Sequence, residues 1–242
     1  MTSDGWTKAV RRQLGFGRVL PLGSPHDGAW ITERAAETVL RREAAALRGL
    51  RLGALRISLT GSGEHDAGVP PPPSALPPGP LRVTADFAVA AGPTVEPFPA
   101  MAARLRTVLS TTARERLGLR VEEVDLRVTH LLEGDEQTVH PAPEPPPTAP
   151  TTPPTSDDEV SRVAAAALSV PGVTRLTTAF GGHVATGPAL PRRHILVELA
   201  VTEERRALDL AREVRTAVSD ALPDHPSVAV LITAVTGPAA VV

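Results

Sequence analysis

The pattern of apolar and polar positions divides the chain into short amphipathic segments. Residues 4–14, DGWTKAVRRQL, set Trp6, Val10 and Leu14 four residues apart, with Lys8, Arg11 and Arg12 elsewhere on the wheel. That spacing predicts a short helix with one apolar face. The Gly- and Pro-punctuated apolar segment LGFGRVLPLG follows. Together they read as a basic arm over residues 1–27, packed on the first domain. A docking segment for a partner or an anionic membrane surface is the sharper alternative, though the arm is too short and weakly charged to anchor alone. A helix is predicted over residues 31–47, with Thr32 as N-cap and Ala35, Val39 and Leu40 continuing a face from Ile31.

Strand signals come next. Leu55, Ile57 and Leu59 alternate with Arg56 and Ser58; Leu81, Val83, Ala85, Phe87 and Val89 alternate with Arg82, Thr84 and Asp86. Period-two alternation predicts one covered face and one wet face. Residues 61–80, GSGEHDAGVPPPPSALPPGP, separate these strands and are too long for an ordinary hairpin loop. They read as a flexible Pro-rich insertion, a spacer more than a ligand for a Pro-binding groove. A second helix is expected from Pro99 to Leu117, with Met101, Leu105, Val108 and Thr112 in a stripe and Gly118 as its stop. Val124, Leu126 and Val128 close the unit as a strand.

An acidic Pro/Thr-rich linker is expected over residues 135–155, extended and partly stiff. Beyond it the order begins again. Ser156 and Glu159 form a capping box ahead of Val160, Val163, Ala164, Ala167 and Leu168. The VPGV turn, a strand through Ile195–Val201, a helix ending before Pro223 and a strand through Val228–Ile232 complete it. Local sequence is shared as well. AARLRTVL (102–109) matches AREVRTAV (211–218), DFAV (86–89) matches ELAV (198–201), and VDLRVT (124–129) matches VAVLIT (228–233). A shared order along both halves points to duplication. The expected fold class is α+β: two two-layer sandwich modules, residues 28–134 and 156–237, each running helix, strand, strand, helix, strand. Three-stranded sheets leave edges that must be paired or covered, by each other or by other molecules.

Composition narrows the chemistry. There is no cysteine, which removes disulfides, thiolate metal sites and Cys nucleophiles. Lys8 is the sole lysine, and the Arg, Ala and Pro usage reads as coding bias. The net charge of −2 divides into +3 for residues 1–25, zero for 26–134, −3 for 135–155 and −2 beyond. No folded region is a basic block, so nucleic-acid binding has no evident electrostatic source. No apolar run approaches the ~20 residues of a membrane span, and the chain start lacks a signal-peptide core. A cytoplasmic protein is expected.

The seven histidines, His26, His65, His130, His140, His183, His194 and His225, show no metal-ligand spacing. Gly15 and Gly17 begin a dinucleotide-like pattern that does not continue, and there is no Walker loop, G-x-S-x-G elbow or G-x-x-G clamp. No catalytic, cofactor-binding or metal residue is therefore assigned, and no cofactor is expected.

WITERAAETVL, PLRVTADFAV and LGLRVEEVDLRVTHLLE in the first half, and EVSRVAAAALSVPGVTRL in the second, resemble the alkaline shock (general or envelope stress response) protein family. The likeness lies in a helix, a Gly and then Val121, Val124, Leu126 and Val128, and in the Pro171–Val173 turn. It covers residues 28–134 and 156–236 and resembles a tandem member of actinobacterial type. The Pro-rich insertion, the second module and Gly49-Leu50 in place of a "GV" turn depart from the pattern. The resemblance implies a non-enzymatic scaffold with protein partners, among them a membrane-anchor protein or a second copy, peripheral to the membrane only through that partner. A small-ligand-binding or nucleic-acid-associated regulatory module is the alternative.

Overall fold

Thr32 marks the point where extended chain becomes helix. Its backbone is extended and its hydroxyl accepts the Ala35 N–H, the N-cap arrangement that satisfies an otherwise orphan donor. In the computed structural model, residues 17–61, 68–90, 96–132, 158–178, 184–187 and 193–237 are described. Helix α1 (Glu33–Ala45) begins there. Immediately upstream, β1 (Val19–Leu22) and β2 (Ala29–Thr32) form an antiparallel hairpin. The described part of the expected arm thus carries a strand at 19–22, and the first two expected helical residues, Ile31 and Thr32, end a strand at 29–32. The reason is tertiary: β2 lies in parallel beside β9 (Ser227–Thr236), which supplies ladder partners for Ala29, Trp30 and Ile31. The expected short helix of residues 4–14 lies outside the described residues.

The rest of the first half is β3 (Leu50–Leu59), β4 (Leu81–Ala90), α2 (Phe98–Thr111) and β5 (Val121–Leu132). Strand β3 pairs antiparallel with β4, and β4 pairs in parallel with β5, which requires the helical crossover that α2 provides. A wider turn of helix, Thr112–Leu117, extends α2 and ends at Gly118 in the left-handed region, φ 90°. Met101, Leu105 and Leu109 are buried on α2.

The linker expected over residues 135–155 lies outside the described residues; beyond it come α3 (Asp158–Leu168), β6 (Val173–Leu176), β7 (Val184–Gly187), β8 (His194–Thr202), α4 (Ala207–Asp220) and β9. The capping residue Ser156 also lies outside them. Strands β6 and β7 pair antiparallel with β8, and β8 pairs in parallel with β9 across α4.

The protein is mixed α+β, with two sheets and four helices among the described residues. One sheet runs β1-β2-β9-β8-β6, with β7 also on β8; the other runs β3-β4-β5. Helix α1 packs against β3 of one and β2 and β9 of the other. The helix-facing sides of both sheets belong to one continuous apolar core, from Ile57, Val83 and Phe87 through Leu40 and Leu105 to Val197, Val214 and Ile232.

The larger sheet is also covered on its far side. Val19, Trp30, Leu196, Ala229 and Leu231 form a second apolar cluster there with Val69 of the Pro-rich insertion. Residues 68–80 of that insertion lie on the protein, not away from it. Proline lacks a donor, so the segment is tied by other residues: the Gly68 N–H to Pro25 O and the Leu76 N–H to Val19 O. Residues 62–67 lie outside the described residues.

Candidate functional site

The two sheets differ in what their far faces meet. On the larger sheet, Trp30, Leu231 and Glu198 stand in one row across β2, β9 and β8. Glu198 is 1% exposed and Trp30 2%. Beside them the Thr177 and Thr233 hydroxyls lie 2.8 Å apart, and Thr233 Oγ1 donates to Leu199 O. Among the described residues the Trp30 indole N–H has no hydrogen-bond partner. Trp30 and Leu231 of this row belong to the second apolar cluster, and the two threonine hydroxyls are bonded to each other and to backbone. Alternation along β8 marks Glu198 as a wet position, yet it is buried on the face that carries the second apolar cluster.

On the smaller sheet the far face is open. Arg82, Thr84 and Asp86 on β4 are half-buried, while Glu123, Asp125 and Arg127 on β5 are exposed. The alternation predicts a solvated or polar-contact face of Arg82, Thr84, Asp86, Arg127 and Thr129, and the register sets Glu123, Asp125 and Arg127 beside Arg82, Thr84 and Asp86 on one side of the sheet. Arg82 reaches Glu123 at 2.5 Å and Asp125 at 3.4 Å. Among the described residues Arg127 makes no ion pair within 4 Å.

Among the described residues the 12-residue strand β5 is an edge whose one ladder partner is β4. Its second side presents unpaired backbone groups, a template for another strand. The Val124 carbonyl points that way, since it accepts from Arg106 Nε at 3.3 Å. Two core-face residues of this edge are poorly covered: Val128 is 44% exposed and Leu131 56%. Near the start of α2, Phe98 is exposed too. The length of the VEEVDLRVTHLL run and its apolar end carried this signal in the sequence, but not which edge stays open.

The histidines stay apart. His26, His130 and His225 are exposed, and His65, His140 and His183 lie outside the described residues. His194 is half-buried, with Nδ1 3.0 Å from Ser227 Oγ. Burial lowers its pKa below 6.5, and a hydrogen bond with the Ser227 backbone offsets part of that. Among the described residues no group of three or more His, Asp or Glu side chains is arranged to hold a metal ion. Among them, too, no helix is long and apolar enough to cross a membrane.

No family model, curated protein or solved structure matches the chain.

Proposed function

We propose that this protein is a non-enzymatic interaction protein of alkaline-shock type, built by duplication of one module across the linker at 135–155, and that it acts by adding a strand to the open edge β5. The observation that carries this reading is that 12-residue edge with Val128 and Leu131 left uncovered. Strand addition uses such an edge for affinity, through backbone hydrogen bonds, and uses the alternating side chains for specificity. The shared connection, a parallel pair bridged by a helix in β4–α2–β5 and in β8–α4–β9, supports duplication. The interlocking of the halves makes the tandem a closed pair, because β1 and β2 complete the sheet of the second half. In this reading the protein works in the cytoplasm and meets the membrane only through a partner.

The test is affinity capture with membrane fractionation, comparing the full chain with Val128→Pro. Val128 shares the strand parity of Val124, so its N–H faces the open edge, and proline there removes a docking donor without touching the β4 ladder. Partners captured by the wild type should be lost from a variant with unchanged circular dichroism. Equal capture by both would sink the reading.

A further inference from the structure

We infer that the open edge of β5 takes the β5 strand of a second copy of this chain, antiparallel, about a two-fold axis at Leu126. This rests on the edge-docking reading and adds the identity and register of the occupant.

Backbone parity comes first. Val124, Leu126 and Val128 turn their peptide groups away from β4, as the Val124 carbonyl shows by meeting Arg106. Between Glu123 and Val128 the pairing with β4 is regular, so Val124, Leu126 and Val128 share the core face while Glu123, Asp125 and Arg127 share the open face. Residues opposite each other in an antiparallel pair lie on the same face. Self-pairing must therefore centre on a residue of β5, not between two.

Charge then selects the centre. An axis at Val124 sets Glu123 against Asp125 of the second copy. An axis at Asp125 opposes two carboxylates, and one at Arg127 opposes two guanidiniums. Like charges directly opposite are destabilising. An axis at Leu126 sets Asp125 against Arg127 of the second copy, twice, and Val124 against Val128, twice. Arg127 is exposed and makes no ion pair among the described residues, and Asp125 is held only at 3.4 Å by an Arg82 that sits closer to Glu123. Each copy thus offers the charge the other lacks.

The same register covers Val128, the 44% exposed core-face residue. It also replaces one contact. The Val124 carbonyl leaves the exposed Arg106 side chain and accepts the Val128 N–H of the second copy. The two three-stranded sheets become one six-stranded sheet with the helices of both copies on one side, and the open edge is gone.

The experiment measures mass by light scattering across a dilution series of the full chain. The wild type should approach twice its 25.3 kDa at the concentrated end. Arg127→Glu and Asp125→Lys should each remain at the monomer mass, because each sets like charges opposite in both pairs. Their equimolar mixture should recover the doubled mass, since a mixed pair restores both attractions. Circular dichroism checks that each variant is folded. Because the chain has no cysteine, Leu126→Cys gives an independent readout. Mild oxidation should link two copies through residue 126, and Glu122→Cys, far from the axis, should not link. A monomeric wild type, a mixture that stays monomeric, or equal linking at both positions overturns the inference. A monomeric wild type that still captures another protein, lost in Val128→Pro, overturns the second copy and leaves the edge-docking reading standing. Capture unaffected by Val128→Pro overturns that reading itself.

Discussion

Asp27, in the turn between β1 and β2, receives a hydrogen bond from Arg212 Nε on α4 at 2.8 Å. The two lie 185 residues apart in sequence, and their contact ties the first hairpin to the last helix. The Ser24 N–H and hydroxyl bond the other carboxylate oxygen at 2.6 and 2.8 Å. Arg215 donates to His26 O from the same helix, at 2.6 Å. The turn is thus clasped by α4.

Removing the clasp should loosen the join between the halves. Burial by itself raises the Asp27 pKa, but the bonds from Arg212 and Ser24 outweigh it and hold the carboxyl below 3.8. A carboxyl depressed in the folded state contributes stability at neutral pH, and that contribution disappears as pH falls through the folded-state value. Asp27→Asn should cost about 1–2 kcal/mol at pH 7. The gap between wild type and variant should close in acid below 3.8. Urea unfolding at several pH values checks this; a pH-independent gap would show that the carboxylate charge contributes nothing.

A second prediction concerns Gly118, where α2 turns into β5. Its φ is 90°, and an added Cβ would lie 2.4 Å from the Leu208 side chain. Its carbonyl accepts the Gly23 N–H at 3.0 Å. Gly118→Ala combines a left-handed backbone with overpacking against the other half, for a loss of about 2–4 kcal/mol. Gly61 meets nothing within 4 Å and has no positive φ, so Gly61→Ala is the neutral control. Adding Leu208→Ala removes the contacts at Cδ2 and Cγ, 3.0 and 3.3 Å, but keeps the Cβ at 2.4 Å, so it should offset only a small part of the Gly118→Ala loss. Thermal melts of the four variants decide it.

The third prediction uses Trp30 as a reporter. Val69 packs in the cluster that buries the indole under the Pro-rich segment. Val69→Asp places a charge there without a partner, and a loss of about 2–4 kcal/mol is expected. The chain has two tryptophans, so emission is read in a Trp6→Phe background. It should be blue-shifted in the parent and move to the red in Val69→Asp. Unchanged emission and melting would mean that the segment does not roof the sheet.

Helix faces and strand alternation are local properties, and they were readable. Thr32 caps α1, Met101 and Leu105 line α2, and the alternation of Leu81–Val89 and Ile195–Val201 marks two strands. The four helices and the strands β3, β4, β5, β8 and β9 could therefore be written from spacing, whereas the four-residue strands β6 and β7 are too short to show a period. The candidate edge was only half readable: the polar face of β4 and β5 shows in the pattern, but an open edge is a statement about what does not pair.

Two comparisons show where local pattern stops. Asp86 and Glu198 occupy matching places in DFAV and ELAV. Asp86 is half-buried on an open face, and Glu198 is 1% exposed on a face that carries a second apolar cluster. Val19–Leu22 and Ala29–Thr32 are apolar runs too short to declare a partner, and their strand character depends on β9, joined to β2 by Thr32 Oγ1 and Thr233 O, 201 residues apart. By itself the sequence determined which residues are apolar on which side of each element. Only the tertiary structure decided which strands share a sheet, which polar groups are sealed and which edge stays open, because strand pairing joins residues whose separation along the chain carries no local signal.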